Sequence, residues 1–327
     1  MSSERIACVG AGRMGRGIAI AFAYAGHAVD LIDLKPRSDA AWALLCDEAL
    51  GEVRASLQAL AQLGAVPADA VPRIAARVAL VRNDHADAAM SQATVLFEGV
   101  PETLDAKRDA LTRICSAAAA DAIVASTTST ILVTDLLPFV TQPQRLINAH
   151  WLNPAYIIPL VELSVHAGTS ADVRQRLSAL LQGIGKSTVE CGPAPGFIVP
   201  RLQALIMNEA ARMVEEGVAS AEDIDKATRH GLGLRFAAMG VVEFIDFGGN
   251  DILYHASRYL SRTLSAERYT APRIVDTMMA EGRNGLKSGQ GFYDYRDIDV
   301  AAYRLDVLQR SLGMLKHAGL FKPPVTD

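Results

Sequence analysis

Residues 6–33 read IACVGAGRMGRGIAIAFAYAGHAVDLID, and the order of residue types in them decides the fold. The apolar run IACVG (6–10) has the composition of a buried strand. A helical pattern follows to about Ala25, and Gly26 fits a helix C-cap. AVDLID (28–33) returns to strand character. Between the first strand and the helix stand Gly10-Ala11-Gly12-Arg13-Met14-Gly15, a GxGxxG spacing. Glycine-rich turns are common, so the spacing alone says little. Its context says more. It closes a strand and opens a helix, and an acid, Asp33, ends the next strand, as a dinucleotide site requires.

Each residue of that turn has a physical task. Gly10 permits the tight bend, Gly12 lets a pyrophosphate approach the backbone, and Gly15 lets the helix pack closely on the strand. Arg13 and Met14 complete the cofactor-binding turn. The helix N-terminus offers unpaired N–H groups and a partial positive charge to phosphates. Asp33 would accept bonds from the adenosine ribose hydroxyls and repel a 2′-phosphate. Lys35 and Arg37 just beyond it could contact such a phosphate. Asp33 should prevail, and the expected cofactor is NAD.

Outward from this stretch, strands alternate with helices. Further strands are expected at 78–81, 94–100, 122–126, 145–151, 159–164 and 187–191. Helices are expected at 39–63, 67–77, 103–119 and 170–183. That alternation implies an α/β fold: a Rossmann-type doubly wound, mostly parallel sheet. At Cys191-Gly192-Pro193-Ala194-Pro195-Gly196 the pattern changes, and only helical stretches follow. The expected domains are 1–191, binding the dinucleotide, and 192–327, an all-α domain for substrate and dimerisation.

The chain of 327 residues is long enough for two cores, and half of it is hydrophobic. A net charge of −4 without blocks of like charge points to neither nucleic-acid nor membrane partners. The four cysteines have no metal-type spacing and read as reduced thiols of a cytoplasmic protein, with no metal site. No leader or membrane-spanning apolar run is evident.

AHWLNPAYIIPLVEL (149–163) places His150 and Glu162 twelve positions apart around an Asn-Pro turn. Hydride transfer to or from a nicotinamide needs a group that moves a proton, and histidine is the usual choice near neutral pH. His150 ends an expected strand, and ligands of open α/β sheets bind at the strand carboxyl ends. Glu162 on the return strand could bond the far ring nitrogen. A histidine merely packed in the core is the competing explanation.

Several motifs in one order resolve that choice. GAGRMGRGIA (10–19), EGVPETLDAK (98–107), ASTTST (125–130), HWLNPAYIIPLVE (150–162), PGFIV (195–199), Gly240, Glu243 and Asp246, and GLKSGQGFYDY (285–295) together resemble the L-3-hydroxyacyl-CoA dehydrogenase family over nearly the whole chain. The resemblance implies NAD-linked oxidation of a 3-hydroxyl to a 3-ketone. In it His150 exchanges the hydroxyl proton, Glu162 orients His150, and Ser129 bonds the reacting oxygen. It also implies that Glu102 and Lys107 line the nicotinamide pocket, that Asn153 contacts substrate, and that the chain forms a homodimer through its helical domain. Two positions depart from the family pattern: Thr127 and Pro200 stand where relatives carry asparagine.

The family has a branch that acts on substrates other than CoA esters, including the carnitine and L-gulonate dehydrogenases and the related lambda-crystallin. LGEVRASLQALAQLGAV (50–66), Pro159 and GLGLRF (231–236) resemble it, whereas GQGFYDY is more typical of the CoA enzymes. Coenzyme A binders usually offer Lys or Arg near its phosphates, and only Arg54 lies between Arg37 and Arg73. Arg235 could anchor a small carboxylate instead. The expected substrate leans toward a non-CoA 3-hydroxy acid, with the 3-hydroxyacyl-CoA thioester as the alternative. A crystallin-like NAD-binding protein with little turnover is a rival from another class. A 2-hydroxy acid or sugar-nucleotide dehydrogenase is a further enzyme alternative.

Overall fold

The computed structural model describes residues 4–325. The chain divides into two compact units, with the division after Met207.

The first unit is built on an eight-stranded sheet. Its strands are β1 (Ile6–Val9), β2 (Val29–Ile32), β3 (Val78–Val81), β4 (Val95–Glu98), β5 (Ile123–Ser126), β6 (Leu146–Trp151), β7 (Leu160–Ser164) and β8 (Ser187–Cys191). Their order is β3-β2-β1-β4-β5-β6-β7-β8. Neighbours are parallel except β6 and β7. The helices are α1 (Arg13–Tyr24), α2 (Asp39–Gln62), α3 (Val71–Ala75), α4 (Ala86–Gln92), α5 (Leu104–Ala117), α6 (Val133–Leu136) and α7 (Ala171–Gly183). A further helix, α8 (Val199–Glu215), contains the division between the units.

The central strands β1, β4, β5 and β6 are buried at every position. Such strands read as unbroken apolar runs because both sheet faces are covered. Alternate residues feed two cores: Ile6 and Cys8 join one cluster, Ala7 and Val9 the other. Three helices depart from expectation. Residues 67–77 form a 3-10 turn and the short α3, because Pro67 and Pro72 interrupt the helical ladder. Helices α4 and α6 were not anticipated. Each buries only two residues, too few to print a periodic stripe on the sequence.

One reversal of direction matters for chemistry. β6 and β7 form a hairpin through residues 152–159, too short a connection for a parallel crossover. The antiparallel register sets His150 opposite Glu162. Lys186 closes the hairpin loop from below. Its Nζ donates to the carbonyls of Ala155 (2.7 Å) and Ile158 (2.8 Å) and lies over the Trp151 ring, and burial lowers its pKa.

After α8 the second unit is helical. It comprises α9 (Ala221–Ala227), α10 (Leu234–Ala238), α11 (Val241–Gly248), α12 (Asn250–Thr263), α13 (Ala266–Tyr269), α14 (Arg273–Ala280) and α15 (Val300–His317). Among its described residues the only strand-like pairing is two isolated bridges within 285–294. Asp246 organises that loop. Its buried carboxylate accepts from the N–H groups of Phe292 (3.0 Å) and Tyr293 (2.8 Å). A Cβ on Gly291 would lie 2.1 Å from Asp246 Oδ1, so packing requires the second glycine of GQGF.

Candidate active site

The sheet register puts Val9, Ile32, Glu98, Ser126 and Asn148 in one row near its carboxyl edge. Strand order reverses between β1 and β4, and a cleft of about 650 Å³ opens there. This is where open α/β sheets bind ligands. Gly10, Gly12, Arg13, Met14, Asp33, Glu102, Thr127 and Ser129 are on its wall.

The glycines divide their work as their surroundings dictate. Gly10 has a φ of 117°, and a Cβ there would meet Gly99 O at 2.6 Å. A Cβ on Gly15 would sit 2.0 Å from Gly10 O. Nothing lies within 4 Å of a Cβ on Gly12, so that face of the turn is open to a ligand. Gly12 is also the N-cap of α1, which has no side-chain cap and no acid in its first turn. A dinucleotide pyrophosphate fits this cradle of open backbone N–H groups. Arg16, unnoticed in the sequence, braces the turn. Its Nε donates to Ala11 O (2.9 Å), and its Nη1 bonds Glu48 (2.9 Å) and Glu52 (2.6 Å) of α2.

Asp33 is buried at the cleft's edge, and Arg37 donates its Nε–H to Asp33 Oδ2. Oδ1 makes no hydrogen bond among the described residues and is available to a ribose hydroxyl. Arg37 is thereby tied to the acid it follows in sequence.

Glu102 and Lys107 lie at different depths. Lys107 is fully buried beneath the cleft and is not on its wall. Its ammonium is matched by Glu98 at 3.0 and 3.1 Å, and by Glu102 at 3.4 Å. Glu98 also accepts from Ser126 Oγ (2.5 Å) and Val100 N–H (2.9 Å), so no charge of the pair is left uncompensated. Glu102 gathers the serine loop: it accepts from Thr128 Oγ1, Ser129 N–H (2.9 Å), Thr130 N–H (3.0 Å) and Thr130 Oγ1 (3.0 Å). Burial by itself would raise the Glu102 carboxyl, but the Thr128 bond, the Lys107 charge and the Thr130 bonds outweigh it and hold the pKa down at about 2. Loop capping falls to Thr128, whose Oγ1 accepts from Ile131 N–H (2.9 Å). The Ser129 hydroxyl makes no hydrogen bond among the described residues.

His150 is 5% exposed, and its Nδ1 is 2.7 Å from Glu162 Oε2. An ionised carboxylate only accepts, so the bond places the proton on Nδ1 and leaves Nε2 without a hydrogen bond among the described residues. The second Glu162 oxygen accepts from the N–H groups of Ile198 (2.9 Å) and Val199 (2.8 Å), at the start of α8. Phe197 stacks on the imidazole, with centroids 5.3 Å apart and planes at 27°. The PGFIV segment was in view in the sequence, but its contact with His150 depends on a tertiary approach across 47 residues of chain.

Residues 5–194 match the model of the 3-hydroxyacyl-CoA dehydrogenase NAD binding domain, and residues 196–295 match that of the 3-hydroxyacyl-CoA dehydrogenase C-terminal domain. The chain belongs to this family. As a 3-hydroxyacyl-CoA dehydrogenase family member it is an NAD-dependent oxidoreductase acting on a CH–OH group. It is 32% identical to a 3-hydroxyadipyl-CoA dehydrogenase of Escherichia coli over 314 residues, which is 96% of this chain and 63% of that longer relative. It is 33% identical to an L-carnitine dehydrogenase of Streptomyces coelicolor over 275 residues, 83% of this chain and 82% of the relative. A crystal structure of a 3-hydroxyacyl-CoA dehydrogenase from Archaeoglobus fulgidus superposes with a TM-score of 0.76 at 28% identity, covering 98% of this chain and all of that one.

Of the two departures from the family pattern, the structure accounts for one. Pro200 is the second residue of α8, where a missing N–H leaves no intrahelical bond unmade. Thr127 is buried on the cleft wall, and its N–H donates to Glu98 O at 2.8 Å, a backbone bond that leaves its side chain without a structural explanation. The two residues expected to contact substrate are both exposed. Asn153 is exposed in the hairpin loop, before a cis peptide to Pro154. Arg235 is exposed on α10 in the second unit, with its guanidinium 4.7 Å from the Phe244 ring centroid.

Proposed function

We propose that the protein interconverts a short L-3-hydroxy acid and its 3-oxo counterpart, with His150 as general acid and base. The observation that carries this is the 2.7 Å bond between His150 Nδ1 and Glu162 Oε2, which leaves Nε2 to exchange a proton. NAD, when bound, supplies the hydride acceptor. Gly10 and Gly12, with Arg13 and Met14, would hold its pyrophosphate on the turn that Gly15 packs, Asp33 its ribose, and Glu102 the loop beside its nicotinamide. His150 takes the 3-hydroxyl proton in oxidation and returns it in reduction. Glu162 orients the imidazole and stabilises its charged form, and the unbonded Ser129 hydroxyl steadies the reacting oxygen. Replacing His150 with Gln should cut kcat by roughly 10²–10⁴-fold while NADH binding persists. Near-native turnover in that variant would return His150 to a packing role.

The free-acid substrate is favoured by charge. Helix α2, which runs into the segment resembling the branch that does not use CoA, has Arg54 as its one basic residue, and Arg16 and Arg82, which face it, are already paired with Glu48, Glu52 and Asp39. Three phosphate groups of a CoA handle would find little unpaired positive charge there. Arg235, able to grip a carboxylate in a bidentate pair, would supply the substrate handle. A thioester substrate is the second reading, favoured by the match to 3-hydroxyadipyl-CoA dehydrogenase.

We assign cofactor binding to residues 1–191, and substrate grip and self-association to 192–327. Helix α8 exposes Leu202, Leu205, Ile206 and Met207 on consecutive turns, and α15 exposes Leu305 and Leu308. Such surface is unfavourable in water, and a homodimer would bury it.

A further inference from the structure

Phe197 combines two features that the sequence does not separate. Its φ of 47° is left-handed, and it is the only such non-glycine among the described residues. Together with Gly196 (φ 74°) it turns the chain into α8 so that the N–H groups of Ile198 and Val199 reach Glu162 Oε1. Glycine or asparagine would make the same turn with less strain. Strain of this kind persists where the surroundings impose it, commonly beside working groups. What phenylalanine adds is its ring, 5% exposed and lying flat against His150.

We propose that Phe197 is a positioning residue for the reaction, holding the plane of His150 while its turn holds Glu162. An imidazole bonded only through Nδ1 can still swing about that bond. A flat ring against its face removes the freedom and fixes the direction in which Nε2 points. Misdirecting a proton-transfer group by a fraction of its reach costs rate even when every group is present. Phe197 touches neither substrate nor cofactor in this role. The inference rests on His150 acting as the acid–base.

The test compares Phe197→Leu, which keeps an apolar side chain of similar burial, with Phe197→Tyr, which keeps the flat face. The leucine variant should lose about tenfold or more in kcat at saturating substrate, with the NADH dissociation constant within about twofold of the parent. The tyrosine variant should stay near the parent. Ring-nitrogen NMR of His150 gives a second readout. The parent should show one tautomer protonated at Nδ1, and the leucine variant a broadened or mixed signal. His150→Gln is measured alongside. If it abolishes turnover while the leucine variant keeps parental kcat and spectrum, Phe197 has no positioning role and that of His150 stands. If His150→Gln is active, the role of His150 fails, and the NMR comparison still decides whether Phe197 fixes the ring. A loss that tyrosine does not rescue, or that NADH affinity follows equally, marks general damage and also overturns the proposal. Should the leucine variant not fold, Phe197→Met is read in the same way.

Discussion

In the proposed cofactor site Asp33 has one oxygen already bonded to Arg37. A ribose hydroxyl can use the other oxygen, whereas a 2′-phosphate would face a carboxylate at close range. The preference for NAD over NADP in kcat/KM should therefore be at least tenfold, about 1.4 kcal/mol. Asp33→Ala removes the ribose acceptor and releases Arg37 to face a phosphate, so the ratio should shrink or invert. Equal use of both cofactors by the parent would contradict this. A second residue-scale effect concerns acid. Glu102 is held at about 2 in the folded chain against 4.5 for the unperturbed group. A carboxyl with a lowered folded pKa adds stability that is complete above its unfolded value and is lost as pH falls toward the folded one. Denaturant midpoints should drop between pH 4.5 and about 2, and Glu102→Gln should flatten that part of the curve. Superimposable pH curves for parent and variant would show that the carboxylate is not the group responsible.

At the scale of elements, the turn between β1 and α1 separates a packing glycine from a binding one. Gly15→Ala forces a methyl to within 2.0 Å of Gly10 O, so backbone must move. A cost of roughly 1–3 kcal/mol is expected, seen as a lower urea midpoint. Gly12→Ala meets nothing within 4 Å and should melt like the parent, yet bind NADH more weakly because the methyl occupies phosphate space. A Gly12 variant that loses stability but keeps its NADH affinity would reverse the assignment. Elements with buried apolar runs or long periodic faces, such as β1, α1 and α5, are legible because water exclusion imposes their pattern. Helix α4, with Ala86 and Met90 as its only buried residues, has no such imprint.

At the scale of the molecule the open question is the substrate's handle. Free 3-hydroxy acids should be turned over at least as efficiently as their CoA thioesters. Arg235→Ala should then lower kcat/KM for the acid by ~2–4 kcal/mol, as for loss of a desolvated ion pair. Lysine at 235 should rescue poorly, since a point charge cannot reproduce the guanidinium fork. Were Arg235 only a surface group stacked on Phe244, its removal would be nearly silent and thioesters would lead by orders of magnitude. One rank-order assay, acids beside thioesters with NADH as the readout, separates the two.

The sequence by itself determined the doubly wound sheet, the glycine turn and the acid that follows it. Each is a local pattern, imposed by burial on neighbouring residues or by the backbone geometry of one turn. It also held His150 and Glu162 close enough in the chain for a hairpin to pair them. Only tertiary structure decided the depth of Lys107, which sits under the cleft because Glu98 and Glu102 converge on it from β4 and the loop beyond. Only tertiary structure set Phe197 on His150 and the start of α8 on Glu162. Those contacts join residues 36 to 47 positions apart, and no local periodicity encodes which distant ring or N–H will arrive there.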